Sequence, residues 1–93
     1  MNHLQNCFIA GTGAGEGIVL YADSADVVKN NHVANEKTGC LTMNTPGSNF
    51  FIANQLTNCG TGLNLSGDKY AGNLTAACTT PFIGGFAVGD ENN

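Results

Sequence analysis

A chain of 93 residues and 9.6 kDa has room for one domain, because a single hydrophobic core becomes self-sustaining near roughly 50 residues. Glycine and asparagine each occur 13 times, against 3 lysines and no arginine, while apolar residues make up 42% of the chain. That is enough for a packed core, so the polarity resides in Asn, Thr and Gly and not in charge, and disorder is excluded. The net charge of -4 excludes a phosphate-tracking surface, which needs clustered Lys and Arg, so nucleic acid is not an expected partner.

The opening Met1-Asn2-His3-Leu4-Gln5-Asn6 carries neither a basic segment nor a long apolar one, and no secretory signal is expected from it. The stretch Gly11-Thr12-Gly13-Ala14-Gly15-Glu16 reads as a loop; its glycines alternate without the spacing of a phosphate cradle, and no strong helix follows. Gly17-Ile18-Val19-Leu20 reads as a strand. Only residues 23–36 are long enough to consider as a helix, and their paired asparagines and β-branched residues argue against it. The apolar runs, such as 17–22 and 50–53, fall far short of the ~20 residues of a spanning helix, so no membrane partner is expected. Cys7, Cys40, Cys59 and Cys78 form no CxxC and are expected as free thiols.

Self-comparison reveals a repeat. Asn2-His3-Leu4-Gln5-Asn6-Cys7, Asn31-His32-Val33-Ala34-Asn35-Glu36, Asn54-Gln55-Leu56-Thr57-Asn58-Cys59 and Asn73-Leu74-Thr75-Ala76-Ala77-Cys78 share a pattern and begin 29, 23 and 19 residues apart. Each is followed by a Gly-led apolar strand, beginning at Gly17, Gly39, Gly62 and Gly85, and the stretch 25–31 matches 48–54 at an offset of 23. Three strands of 3 to 5 residues per repeat follow, recurring in one order and direction, so like strands must stack on like strands. Rungs about 4.8 Å apart then cover one another's apolar faces. Asparagine is expected both to hold a left-handed backbone at the turns and to bond the same amide in neighbouring rungs, an asparagine ladder. Glycine before each strand is expected to supply similar backbone freedom.

With the motif Ser48-Asn49-Phe50-Phe51-Ile52-Ala53-Asn54-Gln55-Leu56-Thr57-Asn58-Cys59-Gly60-Thr61-Gly62-Leu63-Asn64-Leu65, the chain resembles the right-handed parallel β-helix repeat proteins over nearly its whole length. The resemblance implies an all-β fold, a short right-handed parallel β-helix (β-solenoid) of about four rungs, forming one domain over residues 1–93. It also implies a tendency toward polysaccharide binding or cleavage on one long face, in an extracellular, phage or cell-surface setting. Relatives that act as pectate lyases use an Arg beside calcium-binding Asp residues, and polygalacturonase relatives carry an adjacent Asp pair, a His and an Arg-Lys motif; this chain has none of these.

Solenoid ends leave strand edges and apolar side chains to be covered. Two arrangements answer this: a piece of a longer β-helix, or copies that cap one another as a homo-oligomer, which is the expectation here. On the surface, Asp23, Asp68 and Glu91 each follow a Gly-led strand's last apolar residue by three, a shared column that places Asp68 and Glu91 on adjacent rungs and Asp23 and Asp68 roughly 9 to 10 Å apart. Such separations suit paired-carboxylate glycoside hydrolysis, and the same acids with nearby carbonyls could take calcium; turn residues are also commonly Asp for local backbone bonding. Tyr21 and Tyr70, flanking that column, together with Asp26 make a candidate carbohydrate platform. His3 and His32 are expected as neighbours but lack further ligands, so no metal site is expected. Cys7, Cys59 and Cys78 share a column with Glu36, and Cys59 and Cys78 come to about 5 Å, within disulfide reach. The sequons at Asn64 and Asn73 read as structural. The functional expectation is a non-enzymatic, self-associating module for carbohydrate binding or structure without a resident cofactor; a polysaccharide-active enzyme using the carboxylate column is the alternative.

Overall fold

The computed structural model describes residues 2–88, among which eleven β-strands and no helix are found. They recur in threes. The first rung holds β1 (His3–Gln5), β2 (Phe8–Ala10) and β3 (Glu16–Tyr21); the second β4 (Val27–Lys29), β5 (His32–Ala34) and β6 (Thr38–Met43). β7 (Phe50–Ile52) and β8 (Gln55–Thr57) open the third rung, and β9 (Thr61–Ala71) turns a corner, closing the third rung and opening the fourth. β10 (Leu74–Ala76) and β11 (Thr80–Ala87) complete the fourth. Every pairing is parallel: one sheet runs β1-β4-β7-β9-β6-β3 with β11 also on β9, and the other β10-β8-β5-β2. The chain is therefore a parallel β-solenoid of about four turns. Its first face is β1, β4, β7 and residues 69–71, its second β2, β5, β8 and β10, and its third β3, β6, residues 61–65 and β11.

Alternation selects the core. Val28, Val33 and Cys40 in the second rung, and Phe51, Leu56 and Leu63 in the third, are all at most 1% exposed and meet on the solenoid axis. Each large side chain so buried stabilises the fold by about 1.5–3 kcal/mol, which such short strands could not gain from propensity. In β6 the inward residues are Cys40 and Thr42, while Met43 is 42% exposed, which fixes a register that the sequence leaves open.

The corners contain two consecutive residues with different tasks. Asn30, Ala53 and Gly72 adopt left-handed backbone (φ 55°, 54° and 63°), and the residue after each, Asn31, Asn54 and Asn73, is buried. The amide of Asn31 donates to Asn54 Oδ1 at 3.1 Å and that of Asn54 to Asn73 Oδ1 at 3.0 Å, with the backbone N–H of each donating to the same oxygen. One amide per rung thus satisfies backbone groups that the corner would otherwise bury unpaired. The expected double role of one asparagine is divided between two neighbours.

The phase of the first rung differs from the repeat read in the sequence. His3 pairs with Val27 and Phe8 with His32, so Asn2 is equivalent to Asp26 and Cys7 to Asn31. The first rung is then 24 residues against 23 for the second. Its loop at 11–15 exceeds the matching corner at 35–37 by two residues, and not by six. The later rungs shorten to 19 residues and then 17, as the turns between the third and first faces tighten. His3 and His32 consequently lie on different faces, and Cys7 does not share the column of Cys59 and Cys78.

Candidate functional site

Turn lengths decide what becomes of the acids. From Leu20 to Asp26 is six residues, from Thr42 to Asn49 seven and from Leu65 to Asp68 three, so equal counts from the preceding strand reach different places. Counting back from the following strand works: Asn2, Asp26, Asn49 and Asp68 each precede a first-face strand and share one column. Asp26 is 2% and Asp68 0% exposed. Asp26 Oδ1 accepts the Asn2 N–H at 2.7 Å, and Asp26 in turn donates its N–H to Asn49 Oδ1 at 2.8 Å. Asp68 Oδ1 accepts the Asn49 N–H at 3.2 Å while Oδ2 accepts the Thr45 hydroxyl at 2.8 Å. These carboxylates hold corners together and face no solvent. Asp23 lies outside that column, half-buried in the turn, where its backbone carbonyl accepts the Asn49 amide at 3.0 Å; Glu91 falls outside the described residues.

The tyrosines are also separated. Tyr21 is 59% exposed at the end of β3, beside the register position of Met43. Tyr70 instead occupies the inward column of the first face with Phe51, packs against the core and stacks on Phe82 with ring centres 5.0 Å apart and planes 12° apart. Tyr21, Tyr70 and Asp26 therefore form no common platform. Asn73 is fully buried in its amide column, which leaves its sequon structural.

A different surface brings polar and aromatic groups together. On the second face the outward positions Phe8, His32, Gln55 and Leu74 lie in one column, with Ala10, Ala34, Thr57 and Ala76 beside them. Asn6, Cys7, Phe8, Asn30, His32 and Gln55 line a groove of about 360 Å³. A second groove, lined by Gln55, Thr57, Leu74 and Ala76, shares Gln55 with it, so the two run on along the solenoid axis. The Phe8 ring and the His32 imidazole lie 5.0 Å apart, tilted by 48°, and His32 Nε2 is 3.0 Å from Thr57 Oγ1. At the rim the Asn30 amide donates to Asn6 Oδ1 at 2.7 Å. The lining is thus amides, a hydroxyl, rings and aliphatic carbon. The sequence did contain the signal, since Phe8, His32, Gln55 and Leu74 each follow a corner residue, but aligning Asn2 with Asn31 hides Phe8 from the column.

The thiols form the remaining cluster. Burial pushes the Cys40 thiol far up, with Cys59 nearby adding to it. Burial likewise raises Cys59 against the lowering effect of a hydrogen bond from the Glu36 backbone, and its neighbour Cys78 raises it further. Both stay protonated at neutral pH. Among the described residues no three His, Cys, Asp or Glu side chains converge as metal ligands, and no helix is long and apolar enough to cross a membrane. Comparison of the chain with protein-family models, with curated proteins and with solved structures finds no match.

Proposed function

We propose that the chain is a non-enzymatic β-solenoid module that binds an uncharged polysaccharide along its second face and associates with further copies of itself. The observation that carries the binding reading is the continuous groove from Phe8 and His32 through Gln55 to Leu74, which repeats hydrogen-bonding and ring surface at rung spacing. A sugar polymer presents a matching alternation of hydroxyls and C–H faces, which amides and rings receive without the cost of burying a charge. The hydrolytic alternative loses support because Asp26 and Asp68 spend their carboxylate oxygens on corner N–H and hydroxyl donors. Self-association is supported by exposed apolar side chains on two other faces, Val19, Tyr21 and Met43 on the third and Phe50, Phe86 and Val88 on the first.

A glycan array, run with and without calcium and paired with an assay of reducing-sugar release, tests this. Neutral glycans are expected to bind without turnover, and Phe8→Ala, at a side chain 68% exposed, is expected to weaken binding about tenfold, the loss of one stacking contact at about 1.4 kcal/mol. Sugar release that Asp68→Asn abolishes would install the enzyme in its place. For self-association the measurement is light scattering at micromolar concentration, where a stable monomer would remove that part of the reading.

A further inference from the structure

The corner between the second and third faces holds a chemistry that carbohydrate binding does not use. Cys59 and Cys78 are both free and sit 19 positions apart in a stretch where Thr57 pairs with Ala76 and Thr61 with Thr80, also 19 apart. They are bracketed by register on both sides. The preceding residues, Asn58 and Ala77, take the same left-handed turn (φ 53° and 56°), so the two Cα–Cβ bonds point the same way. Stacked rungs about 4.8 Å apart bring their Cα atoms inside the bridging range of about 4.4–6.8 Å. Their sulfurs also have matching surroundings: Cys59 Sγ lies 3.9 Å from Val33 O and Cys78 Sγ 3.4 Å from Leu56 O, the equivalent carbonyl one rung on. Bridging asks for rotation about χ1 of one side chain, with the backbone already at the right separation.

We propose that this pair is a redox-modification site, which small-molecule disulfides of the glutathione type oxidise to a Cys59–Cys78 bond stapling the third rung to the fourth. The two thiols differ in access. Cys78 is half-exposed and Cys59 is 2% exposed, so Cys78 meets the oxidant and Cys59 resolves the product. The Cys78 thiolate attacks one sulfur of the disulfide R–S–S–R, forming Cys78–S–S–R and releasing one thiolate. Cys59 gives up its proton and attacks Cys78 Sγ, releasing the second. Two protein thiols and one R–S–S–R become one protein disulfide and two R–SH, with electrons and protons in balance. Burial holds the Cys59 proton, so the second step quickens as pH rises. Cys7 lies on another corner, equivalent to Asn31, with no thiol above it.

The test is incubation of the folded Cys7→Ser protein with oxidised glutathione, followed by alkylation, intact mass and peptide mapping. The expected product has lost two hydrogens, keeps one alkylatable thiol after unfolding, maps to a Cys59–Cys78 cross-link and returns to three thiols with dithiothreitol. Cys59→Ser in this background is expected to stop at one glutathionyl adduct on Cys78, and Cys78→Ser to remain unmodified while folded. The closed loop is expected to raise the thermal midpoint by about 10 °C. A bond mapping to Cys40–Cys59, a cross-link between chains, or three thiols unchanged after prolonged incubation at pH 8.5 would overturn the proposal. None of these outcomes depends on glycan binding.

Discussion

At Asn30 and Asn31 two identical residues in succession do unlike work. Asn30 is exposed and carries the left-handed turn; Asn31 is buried and carries the hydrogen bonds. The distinction sets how each position tolerates change. Asn54 is both acceptor and donor: its Oδ1 takes the Asn31 N–H and amide, and its Nδ2 gives to Val28 O at 3.0 Å and to Asn73 Oδ1. Asp68 is used by Asn49 and Thr45 as an acceptor. Asn54→Asp, which preserves shape but removes both donors, is therefore expected to cost more than about 2 kcal/mol in urea unfolding, since each buried group left unpaired costs about 1–3 kcal/mol. Asp68→Asn keeps the acceptor for the Asn49 N–H and lets the Thr45 hydroxyl turn to accept, so its cost is expected below about 1 kcal/mol. Equal losses for the two substitutions would mean that the column carries no directional bonding. Where the turn residue is Ala53, an L-residue sits at φ 54° that Asn tolerates better; Ala53→Asn is expected to raise the unfolding midpoint by a few tenths to about 1 kcal/mol of added stability.

At the scale of strands, much of the fold is legible from the sequence because each rung repeats three short apolar alternations in one direction. The parts that were not legible have a common physical cause, which is that corner residues are few, interchangeable and separated by turns of unequal length. Asn2 resembles Asn31 more than Asp26 in letters, yet the hydrogen-bond column treats Asp and Asn as equivalents, so composition points to the wrong partner. Glycine before the third-face strands was read as backbone freedom. In the structure Gly17, Gly39 and Gly62 instead mark where the third face presses on the second: a Cβ at Gly39 would lie 2.5 Å from Leu56 Cδ2 and 2.7 Å from Gly62 O. A leucine methyl can move, but a backbone carbonyl held in the next rung cannot. Gly39→Ala is thus expected to cost about 1–3 kcal/mol through overpacking, with the midpoint in urea lowered and the slope unchanged. Gly13, with nothing within 4 Å of its Cβ position, is the comparison; Gly13→Ala there meets only the strain of φ 93° and is expected to cost less.

Over the whole molecule, stability follows from position in the stack. Each interior rung is covered on both sides, and its inward residues show it: Val28 is 1% exposed and Val33, Phe51 and Leu56 are 0%. Their equivalents in the outer rungs, Leu4 and Ile9 in the first and Thr75 and Phe82 in the fourth, are half-buried. A solenoid behaves as nearest-neighbour units, each stabilised by the interfaces it makes, so a rung with one interface opens before a rung with two. The N–H groups of β5 and β8 are bonded into the interior of the four-stranded sheet, while β2 lies at its edge. Native-state hydrogen exchange is accordingly expected to give a gradient, slowest for the amides of β5, β6 and β8 and faster toward β2. If copies of the chain stack on the first rung, protection of β1 and β2 should rise with protein concentration while that of β5 and β8 stays fixed; association through the exposed apolar side chains of the first and third faces would leave β2 unprotected at any concentration. Uniform exchange across all rungs would show instead that the solenoid opens as one cooperative unit, with interfaces too strong for the outer rungs to fray.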